Sequence, residues 1–349
     1  MRNPQSVMVT GGCGFIGSAF IHYLFGPAQF TGKVVNLDSL TYAANPANVA
    51  GAVDPERYVF VHGSVCDEAL VLEVCKQHDI DCIVHFAAES HVDRSILGPE
   101  VFIETNVVGT TRLLQVVRDL KHIHFHHVST DEVYGSLGPT GLFTEKTPYA
   151  PNSPYAASKA ASDLLVRGYA HTFGLSTTIS NCSNNYGPRQ FPEKLLPLMI
   201  LNMMEHKPLP VYGDGSNVRD WLYVDDHAEA IWLVVQEGRR GETYNVGGAA
   251  ERKNLDLLHS LIGVVAEVTN RDQPELESLI TFVKDRPGHD QRYAIDFTKI
   301  QTELGWSPRH ELDGGLRDTV RWYVDNAEWV EQVRSGAYRN WIEENYGKR

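Results

Sequence analysis

Thr10-Gly11-Gly12-Cys13-Gly14-Phe15-Ile16-Gly17 follows the apolar run Val7-Met8-Val9 and opens a stretch with helical spacing. Strand, glycine turn and helix in that order make a phosphate cradle. Glycine permits the tight turn and lets backbone approach a pyrophosphate. The helix N-terminus offers free N–H groups and a partial positive charge. The bland alternative is an ordinary Gly-rich turn. About 20 residues on, Asp38 ends a second strand-like run, where an acid binds the ribose hydroxyls of a dinucleotide. A carboxylate there repels a 2′-phosphate, so NAD is expected rather than NADP. The competing reading of Asp38 is a strand-end cap.

Outward from the turn, short β-rich runs at 6–10, 33–37, 58–62, 82–86 and 124–129 alternate with helical patterns at 17–25, 69–78 and 102–120. A further helix is expected over 153–170 and a strand over 176–181. This rhythm predicts an α/β, Rossmann-type doubly wound parallel sheet covered on both faces. After Asn184 the texture changes, with Pro188, Pro192, Pro197, Pro208 and Pro210 breaking the chain. We read residues 1–183 as an NAD-binding domain carrying the catalytic residues. Residues 184–349 are read mainly as a smaller C-terminal α/β substrate-binding lobe, with some segments returning to the first domain. Within it 225–235 and 255–268 look helical and 244–246 a strand.

The net charge of -13 over 349 residues argues against nucleic acid and anionic membrane as partners. Five cysteines without a C-x-x-C pair argue against a disulfide framework. With no signal-peptide pattern and no apolar run of membrane-spanning length, a cytoplasmic protein is expected.

Tyr155-Ala156-Ala157-Ser158-Lys159 puts Tyr and Lys on one face of a helix. A nearby ammonium and an oxidised nicotinamide favour tyrosinate, making Tyr155 a base for a hydroxyl. Ser129-Thr130-Asp131-Glu132-Val133-Tyr134-Gly135 adds what simple alcohol oxidation does not need, a pair of carboxyl groups. Two carboxyls at one site push each other's pKa apart, giving one acid and one base, as elimination requires. The alternative is a helix start with solvated acids, or Asp131 as an N-cap.

These segments, with HFAAESHVDRSI (85–96), SPYAASKAASD (153–163), NNYGPRQFPEKL (184–195), YGDGSNVRDWLYVDD (212–226) and DRPGHDQRY (285–293), resemble the dTDP-glucose 4,6-dehydratases. These are extended short-chain dehydrogenases, whose G-x-x-G-x-x-G spacing Gly11, Gly14 and Gly17 share. The likeness runs over about residues 6–325. Related GDP-mannose dehydratases and UDP-glucuronate decarboxylases usually carry Ser where Asp131 stands, and sugar 4-epimerases usually lack the acid pair.

The resemblance implies the following roles. Tyr155, assisted by Thr130 and Lys159, deprotonates the sugar's C4 hydroxyl while hydride passes to NAD. Glu132 removes the C5 proton, Asp131 protonates the leaving C6 hydroxyl, and the hydride returns to C6. It also implies that Phe15, Ile16, Ser39, Thr41, Val65, Phe86, Ala87, Ala88, Thr105 and Asn185 line the cofactor. Ser90, Asn184, Lys194, Leu195, Pro210, Tyr212, Arg219, Asn254, Arg286 and His289 are the implied substrate contacts, with Thr130. For any one Arg or Lys, a surface ion pair is the plain alternative. One departure stands out: the family usually reads G-D-I where this chain has Gly63-Ser64-Val65, so the adenine contact is weakened or supplied otherwise.

His122, His124 and His126 would share one strand face, but no carboxylate or Cys lies among them. Structural histidines are expected there and no metal site. Trp322, Tyr323 and Trp329 are expected to pack a C-terminal helix. The competing functions are a nucleotide-sugar 4-epimerase, to which the acid pair is useless, and a non-catalytic NAD-binding sensor. The resemblance also implies a homodimer, paired across a two-fold axis through helices 102–120 and 153–170.

Overall fold

The computed structural model describes residues 1–285 and 288–334. The first part of the chain runs β1 (Ser6–Thr10), α1 (Phe15–Phe25), β2 (Lys33–Asp38), β3 (Tyr58–His62), α2 (Glu68–Gln77) and β4 (Cys82–His85). Next come α3 (Val92–Leu97), α4 (Glu100–Phe102), α5 (Gly109–Leu120), β5 (His124–Thr130), α6 (Pro154–Phe173) and β6 (Thr177–Cys182). The remainder runs β7 (Asn184–Tyr186), α7 (Leu195–Met204), β8 (Leu209–Tyr212), β9 (Val218–Tyr223), α8 (Val224–Glu237) and β10 (Thr243–Val246). It ends with β11 (Glu251–Lys253), α9 (Asn254–Thr269), α10 (Gln273–Glu277), β12 (Ile280–Val283), α11 (Thr298–Leu304), α12 (Leu312–Asp325) and α13 (Ala327–Arg334).

Seven strands form one parallel sheet in the order β10-β6-β5-β4-β1-β2-β3. β1 and β5 are buried at every residue, as central parallel strands are. One apolar layer beneath α2, α5 and α6 includes Val71, Leu113, Val117 and Val166. The other joins α1 to α8 through Phe20, Ile21, Leu24, Ala228, Ile231 and Trp232. So α8 and β10, late in the sequence, complete the first sheet and its cover.

The helix expected over 102–120 is interrupted. Residues Ile103–Val108 form a π segment between α4 and α5. Its cause lies partly outside the helix: the Asn106 carbonyl accepts hydroxyls from Thr110 (2.6 Å) and from Ser162 on α6 (2.7 Å). Such π turns recur where a helix is reshaped around a site.

The second lobe is more regular than its prolines imply. β11, β9 and β7 make a three-stranded sheet, and β8 pairs with β12. Pro210 is tolerated because β8 belongs to a two-stranded sheet. α7, α9 and α12 enclose a core holding Met199, Leu261, Leu316 and Tyr323. Trp322 and Tyr323 lie on α12 and Trp329 on α13, with Trp322 and Trp329 ring centres 4.9 Å apart.

Candidate functional site

The glycine turn sits between the carboxyl ends of β1 and β4. Gly11 has φ +72°, and a Cβ there would lie 2.8 Å from the Ala87 backbone. At Gly17 a Cβ would lie 2.3 Å from the Gly11 carbonyl. Gly14, by contrast, begins α1 with no side-chain cap, and nothing but the Gly11 carbonyl would crowd a Cβ there. The cradle is tight where backbone meets backbone and open where a phosphate would enter. Phe15 and Ile16 form the first turn of α1, half-buried. Asp38 accepts the Cys13 and Leu40 N–H groups, each at 2.8 Å. Burial nevertheless raises its pKa above the usual carboxylate range. Ser39 and Thr41 follow it, exposed. Asn36, not expected from sequence, holds the turn by accepting the Gly12 N–H at 3.0 Å.

Phe86, Ala87, Ala88 and Ser90 form a half-buried loop after β4. Asn106 fixes it, accepting the Glu89 N–H (2.9 Å) and donating to the Glu89 carbonyl (3.0 Å) and to Ser158 (2.8 Å). Thr105, half-buried, lies beside it in the π segment. Val65 is buried against Gly109, while the Ser64 hydroxyl accepts the Cys66 N–H at 3.1 Å.

β5 ends at Thr130, and Asp131–Tyr134 form a 3-10 turn capped by the Thr130 hydroxyl, which accepts the Glu132 N–H at 3.3 Å. This turn lets two neighbouring acids serve one site. Thr130 also donates to Asp131 Oδ1 at 3.3 Å. Asp131 is buried, and its Oδ2 has no hydrogen-bond partner. Burial first, then Glu132 and Asp220, push its pKa well above the usual range, which favours the protonated form. Glu132 is half-buried, and its charge acts on Asp131, Tyr155 and Tyr293.

Tyr155 and Lys159 occupy one face of α6, both buried. Burial and the Glu132 charge push the Tyr155 phenol well above its ordinary pKa, with the Thr130 hydrogen bond pulling the other way. This is opposite to the lowering expected from Lys159: loss of water and the neighbouring acids dominate the phenol. Lys159 Nζ donates to the Val128 carbonyl at 2.9 Å, and burial lowers its pKa to about 8.

Asn184 and Asn185 lie on β7, beside β9. The Asn185 side chain is fixed, donating to the Ser183 carbonyl (3.0 Å) and accepting from His227 Nδ1 (2.8 Å). The buried side-chain oxygens of Asn184 and Asn254 lack partners, as Asp131 Oδ2 does. Arg219 is buried, donates to the Asp290 carbonyl at 2.9 Å and lies over the Tyr293 ring. Its charge also lowers Asp131, so it serves the acid pair as well as any anion. Lys194 donates to the Ser90 carbonyl at 2.9 Å, joining the second lobe to the loop after β4. Leu195 leans on the second core, Pro210 pairs with Thr281, and Tyr212 bonds Asp93 at 3.3 Å. His289 pairs with Asp285 at 2.6 Å. Arg286 lies outside the described residues.

Sequence reasoning missed Glu193, which is buried and accepts Arg94 Nε and the Tyr42 hydroxyl, each at 3.1 Å. It also missed Asp163, His127, Asp220 and Tyr293. The strand histidines are structural: His124 bonds Ser176 and Thr178, and His126 bonds Thr178 and Ser180. Among the described residues no cluster suits a metal ion and no helix is long and apolar enough to cross a membrane.

The family described as GDP-mannose 4,6 dehydratase matches residues 8–319. The chain is 52% identical over 363 residues to dTDP-glucose 4,6-dehydratase 1 of Escherichia coli K12, covering 99% of this chain and all of that protein. The NAD-bound structure of DesIV, a dTDP-glucose 4,6-dehydratase of Streptomyces venezuelae (a double mutant), matches at TM-score 0.88 and 48% identity, over 95% of this chain and 100% of that one. The UDP-glucose 4-epimerase of Thermotoga maritima matches at TM-score 0.82 but 26% identity, over 92% and 99%.

Proposed function

Since the chain belongs to the dTDP-glucose 4,6-dehydratase family, its activity is the NAD-dependent conversion of dTDP-glucose to dTDP-4-keto-6-deoxyglucose, and we propose that five side chains around the end of β5 and on α6 divide that chemistry. The observation that carries this division is Asp131: a buried carboxyl with one oxygen free of any partner, its pKa raised by burial and by Glu132 beside it.

The Gly11–Gly17 cradle fits a dinucleotide pyrophosphate, Asp38 its ribose, and the loop 86–88 with Thr105 and Asn185 its remaining length. When bound, NAD supplies the acceptor for the C4 hydride and returns it to C6. Tyr155 takes the proton of the C4 hydroxyl, steered by its hydrogen bond to Thr130. Lys159 holds positive charge beneath that phenol. A ketone at C4 acidifies the C5 hydrogen; Glu132 takes that proton and gives one back to C5 when hydride adds to C6. Asp131 gives its proton to the C6 hydroxyl, which departs as water. The separation of roles follows from burial: the carboxyl that cannot afford charge is the acid, and its less buried neighbour is the base.

Residues 1–183, with α8 and β10, serve the cofactor and the chemistry, and the rest of 184–349 serves the sugar nucleotide. Asn184 and Asn254, with unpaired oxygens, suit sugar or base hydrogen bonds. Lys194, Arg219 and His289 suit the diphosphate. A homodimer is supported by apolar side chains left exposed on α3, α4, the π segment and α6: Leu97 (72%), Leu164 (57%), Val101 (49%) and Ile103 (48%). Light scattering showing a monomer at working concentration would contradict it. Five free cysteines support a reducing, cytoplasmic setting.

Incubation with dTDP-glucose tests the reading through the alkali-induced absorbance of a 4-keto sugar. An epimerase would give dTDP-galactose, and a sensor would leave the substrate untouched. UDP- and CDP-glucose in the same assay test the nucleotide, since a methyl group is worth only about 1–3 kcal/mol of discrimination.

A further inference from the structure

Asp163 lies one helical turn beyond Lys159 on the same face of α6, fully buried. Oxygen Oδ2 of its carboxylate accepts the Ser129 hydroxyl at 2.9 Å, the Tyr149 hydroxyl at 2.8 Å and Asn181 Nδ2 at 3.4 Å. Its other oxygen, Oδ1, takes no hydrogen bond but lies 3.2 Å from His127 Nε2. The same ring nitrogen is 3.4 Å from Lys159 Nζ. An anion and a cation thus share one imidazole inside a buried layer. A buried carboxylate with three donors on one oxygen is an expensive feature to keep for packing alone.

We propose that Asp163 is a positioning residue, whose buried carboxylate keeps the Lys159 ammonium charged and aimed beneath Tyr155, with the neutral His127 ring between them. This rests on the reading of Lys159 as the cation that assists Tyr155. The other groups facing the pair give no substitute. His85 on β4 and His127 on β5 are both kept neutral by burial, and Cys182 on β6 is a thiol pushed well above its usual range. Tyr149 and Tyr134 face Asp163 from the segment after β5, and both phenols are pushed upward. Asp163 is the largest influence raising Lys159 against its own burial. Lysine deprotonates as pH rises, so losing the carboxylate moves the alkaline limb of activity toward acid.

The test is the pH profile of kcat/KM for the NAD-loaded enzyme and its Asp163→Asn variant, with melting temperature measured alongside. The amide keeps the shape and can still accept the Ser129 and Tyr149 hydroxyls. The expected result is an alkaline limb displaced about 1–3 pH units toward acid, the usual effect of one close opposite charge. A uniform loss of activity with the limb in place overturns the proposal and leaves Asp163 a structural residue. Asp163→Glu preserves the charge and is expected to keep the wild-type limb; a limb displaced as far as in the Asn variant also overturns it. The Glu variant carries the test if the Asn variant does not fold. Lys159→Met separates the two readings. Full hydride transfer without the ammonium sinks the role of Lys159 itself, whereas a dead Met variant beside an unmoved Asn limb sinks only the role of Asp163.

Discussion

The two faces of β5 both bury histidine, and only one of them buries charge. Toward α8, His124 and His126 are bonded to the hydroxyls of Ser176, Thr178 and Ser180 on β6, a neutral ladder with every ring nitrogen paired. Toward α6, His127 meets an ammonium and a carboxylate, and its Nδ1 has no partner. The same residue type one or three positions apart does two jobs. Side chains alternate across a strand, so adjacent positions meet different layers. The satisfied face carries stability, and the strained, charged face lies under the chemistry.

The sharpest way to break this contrast is at the charged face. Tyr155→Phe is expected to lower kcat by at least ~10²-fold, the scale of a general-base contribution; an unchanged rate in steady-state assay would point to another base. Glu132→Gln is expected to complete hydride transfer from C4 and then stall, so enzyme-bound NADH accumulates at 340 nm on the order of one per site. Wild-type turnover in that variant would remove Glu132 from its role.

Acid treats both faces alike. His124, His126 and His127 are held neutral by burial, with folded pKa values far below the unfolded value near 6.5. The unfolded chain therefore binds more protons below that pH, and stability falls as pH drops. The slope is up to about 1.4 kcal/mol per pH unit for each histidine. Urea titrations at several pH values measure this, and a flat profile between pH 6.5 and 5 would mean the rings titrate in place. The smallest effect is expected at the neutral face. His126→Leu takes the imidazole partner from the Ser180 hydroxyl and leaves Thr178 only that of His124, at a cost of about 1–3 kcal/mol. Its kcat should stay that of the wild type, and a lost kcat with retained stability would erase the distinction between the faces.

The first half of the fold was legible because its signals are local. β1 and β3 begin and end at the expected residues, and the glycine turn stands where the sequence put it. After residue 184 the helices expected over 225–235 and 255–268 and the strand over 244–246 also stand in place, but the other short strands were illegible. Strands of three or four residues, such as β7, β8 and β11, are too short for a period to register. The π segment escaped notice because its cause, hydroxyls from Thr110 and Ser162 on the Asn106 carbonyl, spans more than one element. Asp163 was half visible: its i+4 spacing from Lys159 is in the sequence, but its burial is not.

Sequence alone determined the chemistry on offer: a glycine cradle, a ribose-binding acid, a Tyr–Lys pair and two adjacent carboxyls. These are choices of residue type at fixed local spacing, and spacing survives without coordinates. The fold decided which carboxyl keeps its proton, which histidines stay silent and where Lys159 finds its counter-charge. Those properties depend on how much water each group has lost and what sits opposite it. Both are set by strands and helices more than 30 positions apart in the chain, as His127 and Asp163 are.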